Sequence, residues 1–346
     1  MLKAYWVNEF KDLPVIPECK RWILGGKTTL EQQILFKLLN GQPITKDEER
    51  LFNESIEFYS TVTLQLSNTK LQSFTEEERF EYFGYVNYVF SHLMLLSNNV
   101  TCWNICRVVK NKSVLGEEKS IPHVSLLSYP SKEIVKRIGQ YNRANSPDYN
   151  VFYGAQTVNA ALLETKPAIG DLITVSVWGN TNPEMEILSY PINHGKEAIM
   201  INADVRKGYT AFQAIKKKNH PLLMKMMEII FDFLGEEFSK QAHHHLDYFF
   251  SAFYSQRIFE NVDIPDWNYE AIIYPSVQNK FKYENLAIKP EVFDKRFRIR
   301  KIMEMVVDES YYDLDLPLSD LLSISYIKPR YIREPSKLNA DNSIEW

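Results

Sequence analysis

Residues 141–164 read Tyr-Asn-Arg-Ala-Asn-Ser-Pro-Asp-Tyr-Asn-Val-Phe-Tyr-Gly-Ala-Gln-Thr-Val-Asn-Ala-Ala-Leu-Leu-Glu. The stretch leaves a turn-rich segment, passes through a short apolar strand ending at Tyr153, and enters a small helix over 155–165 rich in Ala and Leu. Next comes 171–178, Asp-Leu-Ile-Thr-Val-Ser-Val-Trp, whose alternation predicts a second strand. Further strands are expected at 270–274, closed by Pro275, and at 297–307. Helical patterns cover 220–234 and 238–260. Short β-branched and aromatic runs alternating with helical ones make 99–327 a mixed α+β domain.

Upstream, residues 1–98 read as a small helical domain. Three capping boxes stand in series: Thr28 with Glu31, Thr45 with Glu48, and Thr75 with Glu78. In each, a hydroxyl accepts from a backbone amide three residues on, and a carboxylate reaches back. Phe80, Phe83, Val86, Phe90, Leu93 and Met94 then fall at helical spacing. Segment 40–43 is a turn between the first two helices. Such a leader fits an accessory or docking module. Residues 328–346 are polar and interrupted by proline, and read as an extended tail. The 346 residues match the length of about two domains, with no internal repeat.

Composition excludes several chemistries. Twelve glycines are about half the average usage, whereas phosphate cradles spend several in one tight loop. Gly25-Gly26-Lys27-Thr28 resembles the end of such a loop, but Arg21 stands where the pattern needs glycine. It reads as a turn before a helix. Forty basic against 44 acidic residues give net −4, so there is no nucleic-acid signature. Three cysteines make no disulfide framework. Met1 to Phe10 carries Lys3 and Glu9 without an apolar core, and no apolar run approaches the length of a membrane span. No signal peptide and no membrane are therefore expected, and the cytoplasm is the default compartment.

Metal sites are also weakly supported. His243-His244-His245 would point about 100° apart on a helix, so they cannot face one ion together, and a partly exposed helical patch is expected. Cys102 and Cys106 would share a helix face, with packing suggested by Trp103 and Ile105. His194 sits in a Pro-Ile-Asn-His-Gly turn. No metal is expected.

Read singly, the polar residues around the opening stretch are ordinary. Tyr153 at a strand end suits a core, Arg143 a surface turn and Glu164 an exposed helix face. Ser276 suits the turn after Pro275, while Gln256 and Asn285 cap or bridge loops. Their joint order says more. "Asn-Arg-x-Asn … Val-Phe-Tyr-Gly-Ala … Ala-Leu-Leu-Glu", then Tyr254-Ser255-Gln256, then "Ile-Ile-Tyr-Pro-Ser-Val … Asn-Leu-Ala-Ile", resemble the central and C-terminal blocks of the RES domain family. The resemblance covers roughly 100–294. The helical leader and the long stretch between Glu164 and Tyr254 depart from compact family members.

That family is the toxin half of bacterial toxin–antitoxin pairs. Its members consume NAD⁺ by phosphorolysis or hydrolysis, on a fold similar to ADP-ribosyltransferases. The resemblance implies a helical N-terminal domain followed by a RES-like, ADP-ribosyltransferase-like mixed domain. It implies NAD⁺ as substrate rather than resident cofactor, inorganic phosphate as a co-substrate, and an antitoxin or other protein partner. It makes Glu164 the acidic residue, Tyr153 the pocket aromatic, Ser276 the serine and Arg143 a family arginine, with the earlier arginine falling on Arg107. Gln256 and Asn285 join Arg107, Arg143 and Tyr153 as dinucleotide contacts. Physical chemistry runs parallel: a carboxylate stabilises an oxocarbenium-like ribose, an aromatic stacks on a cationic ring, and arginine grips phosphate without a glycine loop. Two rival readings are transfer of ADP-ribose to a macromolecule and a catalytically silent interaction protein. The many aromatics otherwise speak for packed cores.

Overall fold

The computed structural model describes residues 30–75, 77–79, 98–192, 196–260, 268–278, 281–312 and 325–346. The chain divides into two compact units, one formed by 1–95 with 206–237, the other by 96–205 with 238–346. The division does not follow the expected boundary at residue 98 alone, because the segment 206–237 groups with the N-terminal part.

In the first unit, α1 (Leu30–Leu39) packs on α2 (Lys46–Asn68). Helix α2 buries Phe52, Ile56, Tyr59, Val62 and Leu66, one stripe at steps of three and four. It starts where the sequence indicates: the Thr45 hydroxyl accepts from the Glu48 amide, and the Glu48 carboxylate accepts from the Thr45 amide at 2.8 Å. The Thr75–Glu78 box also forms, with its reciprocal bond at 2.6 Å. Thr28, the Gly25-Gly26 turn, Cys19 and Phe80–Met94 lie outside the described residues, as does His194.

The second unit is built on a nine-stranded sheet, with helices added: an α+β architecture. In chain order its strands begin with β1 (Asn98–Val100) and β2 (Asn104–Lys110), followed by α3 (Asn111–Leu115) and α4 (Lys132–Ile138). Then come β3 (Phe152–Ala155), α5 (Val158–Thr165), β4 (Leu172–Asn180), β5 (Ile187–Pro191) and α6 (Lys196–Ile201). Helices α7 (Ala203–Lys216) and α8 (Pro221–Ser239) contain the segment grouped with the first unit. After α9 (Phe249–Glu260) follow β6 (Ala271–Pro275), β7 (Glu284–Ile288), α10 (Pro290–Arg296), β8 (Phe297–Tyr311) and β9 (Tyr326–Arg333). A small hairpin, β10 (Lys337–Leu338) with β11 (Ile344–Glu345), closes the chain.

Strand order is β1-β5-β6-β7-β3-β2-β4-β8-β9, antiparallel except between β5 and β6. Both sheet faces are covered, so β4 is buried along nearly its whole length. Ile105, Val109, Phe152, Trp178, Ile273 and Phe293 join one core cluster, with Phe152 stacked on Phe293 at 3.9 Å. Cys106, Val108, Ala155, Ile173 and Val175 join the other, under Ala160 and Ala161 of α5.

Three expectations change. Residues 238–260 are not one helix: α8 ends at Ser239 and α9 begins at Phe249. Between them the His244 ring accepts from the Leu246 amide, while the Asp247 carboxylate accepts from the His243 and His244 amides, both at 2.9 Å. This local cap competes with helix, so the histidines sit at a loop end. Cys102 and Cys106 do not share a helix face: Cys106 lies in β2 and Cys102 just before it. Both are buried, and burial pushes the Cys102 thiol up to about 12. The polar segment from Lys328 is extended but is not a free tail. It continues β9 against β8, with Pro329 tolerated on an edge strand. Ile344 is buried in the core and the Trp346 indole donates to the Ile121 carbonyl at 2.8 Å. Arg333 pairs with the fully buried Glu304, which also accepts from Asn111 and Ser120.

Among the described residues no helix is long and apolar enough to cross a membrane.

One buried carboxyl gives the first unit a pH dependence. Glu31 is 3% exposed, and burial raises its pKa from 4.5 to about 7, against a smaller opposing effect of its Tyr59 hydrogen bond. The folded state therefore holds a proton that the unfolded chain releases first, and stability falls as pH rises from about 4.5 to about 7. Glu31→Gln is expected to remove that slope and raise the melting temperature at about pH 8 more than at about pH 4, as thermal melts at both values will read.

Candidate functional site

The sheet is split at its centre. Strand β2 pairs with β4 from Asn104 to Lys110, and β3 pairs with β7 from Phe152 to Ala155. Between β2 and β3 the ladder holds at one position, Cys106 opposite Ala155, and the strands then part. Gly154 makes the close approach feasible. A Cβ there would lie 2.2 Å from Ile105 Cγ2 and 2.9 Å from a Phe152 ring carbon.

A cavity of about 390 Å³ opens at this split, within the range of small-molecule sites. Arg107 of β2, Tyr153 of β3, Glu164 of α5, Asn285 of β7 and Arg143 all line it. Arg143, Tyr153 and Glu164 come from one stretch, and the fold brings Arg107 and Asn285 to them from distant parts of the sequence. Ser276 follows β6 and is fully buried behind the lining; its hydroxyl donates to Glu164 Oε2 at 2.5 Å. Gln256 on α9 is outside the lining. Its Oε1 accepts from Ser146 at 3.0 Å and its Nε2 donates to Glu260, so it supports the 146–149 turn rather than the cavity.

The two arginines differ. Arg143 is 6% exposed and its guanidinium donates to the Phe238 carbonyl and, at 3.4 Å, to that of Lys240. It also lies 5.0 Å from the Tyr248 ring centre. Its donors thus fasten the end of α8 to the cavity wall. Arg107 makes one long bond, 3.4 Å, to the Tyr153 carbonyl, and its Nε is buried with no acceptor among the described residues. Burial lowers its pKa to about 10, so it remains a cation at neutral pH, and among the described residues no carboxylate pairs with it.

Tyr153 is fixed at its far end: its hydroxyl donates to Asn145 Oδ1 at 3.0 Å and accepts from the Ala144 amide at 2.6 Å. Burial raises the phenol well above its ordinary range, so it stays neutral. Its ring is an apolar surface and not a base. Tyr274 and Tyr248 complete the aromatic lining, and Pro130, Val135 and Ile138 form an apolar wall. None of these was singled out from the sequence. For Tyr274 a signal existed: it stands two residues before Ser276 and one strand across from Asn285.

The arrangement thus offers a desolvated cation, a hydrogen-bonded carboxylate and a fixed aromatic ring around one space. No protein-family model matches the chain, and no curated protein or solved structure matches it either.

Three variants test this geometry through stability. Gly154→Ala should destabilise the second unit by roughly 1–3 kcal/mol through overpacking, read by chemical denaturation. Arg143→Met should cost about 2–3 kcal/mol by stripping charge-assisted bonds from buried carbonyls. Arg107→Met, which removes a desolvated cation with no counter-charge among the described residues, should be neutral or stabilising in the same assay.

Proposed function

We propose that this chain is an NAD⁺-consuming enzyme of RES type that breaks the bond between nicotinamide and ribose. The observation that carries the reading is the Ser276–Glu164 hydrogen bond, set beside Arg107 and Tyr153 at one cavity. Departure of nicotinamide leaves positive charge on the ribose, and a carboxylate at that position stabilises it. Ser276 holds the Glu164 carboxylate in one orientation through its donated hydrogen bond. Tyr153 offers a ring face to the cationic nicotinamide, worth about 0.5–2 kcal/mol. Arg107 supplies the cation for the pyrophosphate; Arg143, two of whose five N–H groups donate to main-chain carbonyls, lines the same cavity.

The incoming oxygen bonds to the ribose carbon while the ring nitrogen leaves with the bonding pair as neutral nicotinamide. With inorganic phosphate the product is ADP-ribose 1″-phosphate, and with water it is ADP-ribose. Purified protein incubated with NAD⁺, with and without phosphate, is expected to release nicotinamide, measured chromatographically. No release in either buffer would sink the reading; label appearing on protein or nucleic acid would favour ADP-ribosyl transfer. Glu164→Gln is expected to lower the rate by about 10²- to 10³-fold with an unchanged circular dichroism spectrum.

A further inference from the structure

Asn285 is 3% exposed, lines the cavity, and its Nδ2 has no acceptor among the described residues. A buried donor left unpaired is costly and rare in native proteins. The cost is understandable if a ligand supplies the missing acceptor. The position of Asn285 says which part of a ligand that would be. It sits in β7 directly opposite Tyr274 of β6, and Glu284 is opposite Pro275. Ser276 comes next, its amide donating to the Tyr283 carbonyl at 2.8 Å. Asn285 therefore lies at the strand end that carries Ser276, and through it the Glu164 carboxylate.

A carboxylate that stabilises the ribose cation marks the scissile bond. The group beside it is the leaving group. Nicotinamide carries a planar carboxamide with one acceptor and two donors, and an asparagine amide is its natural complement, since rotation of the terminal torsion presents either end. We propose that Asn285 reads the leaving group, pairing its side-chain amide with the carboxamide of the nicotinamide ring. This inference rests on the NAD⁺-consuming reading. It adds a specificity determinant on β7, separate from the residues that stabilise charge.

The test compares NAD⁺ with an analogue whose pyridinium ring lacks the carboxamide, using wild type and Asn285→Leu. The intrinsic difference in leaving ability is common to both proteins and cancels in the ratio of their kcat/KM ratios. The preference for NAD⁺ is expected to fall roughly 10- to 100-fold in the variant. Its melting temperature should stay at or above that of wild type, because an unpaired buried amide has been removed. Should the leucine variant fail to fold, Asn285→Ala carries the same comparison. An unchanged preference in a folded, active variant overturns the inference alone. Absence of nicotinamide release from wild type overturns the parent reading, and this one with it.

Discussion

The second unit depends on the single contact between β2 and β3. A full ladder there would continue the sheet and leave no space at its centre; no contact would leave two separate sheets. One pair, Cys106 with Ala155, joins the strands and lets them part within a residue or two. Gly154 lets the backbones meet so closely. The cavity follows from this partial pairing, and its walls are the two strands that part, the helix after β3 and the loops over the opening. Polar residues can be held there because the sheet on either side is covered by apolar clusters.

Within that cavity the electrostatics are uneven. Arg143 donates two of its N–H groups to main-chain carbonyls and so also braces the wall it lines. Arg107 is desolvated and has no ion-pair partner among the described residues. Glu164 is steered by Ser276. A site whose charges cancelled internally would have little use for a charged ligand. Here the cation and the carboxylate are held apart, each on its own strand or helix, and a ligand carrying both anionic and cationic parts complements them.

Much of the α+β architecture was legible in the sequence because periodicity reports local structure. The strands at 171–178, 270–274 and 297–307 and the helix at 155–165 all form, each with ends shifted by a few residues. The Thr45 and Thr75 boxes form because their bonds need only neighbours three residues apart. What was missed depends on distant partners. The 243–247 cap breaks a pattern that looks helical throughout, because Asp247 competes for backbone amides. Residues 328–346 look like solvated tail because their charges are paired across strands, as Lys328 is with Glu309 and Arg330 with Asp308. Of the site, Arg107, Arg143, Tyr153, Glu164 and Asn285 reach the cavity. Gln256 does not, and Tyr248 enters it by a fold that no spacing encodes.

The strand order has a kinetic consequence. In β1-β5-β6-β7-β3-β2-β4-β8-β9, β3 pairs with β7, while helices and three other strands intervene in sequence. Such non-local pairing must close long loops before it is rewarded, which makes folding slow. The β3–β7 wall of the cavity is one of these non-local pairings, as is β4 with β8. A chain with its helices formed and its local hairpins closed still lacks that wall, so the Asn285 side of the cavity exists only once a long loop has closed.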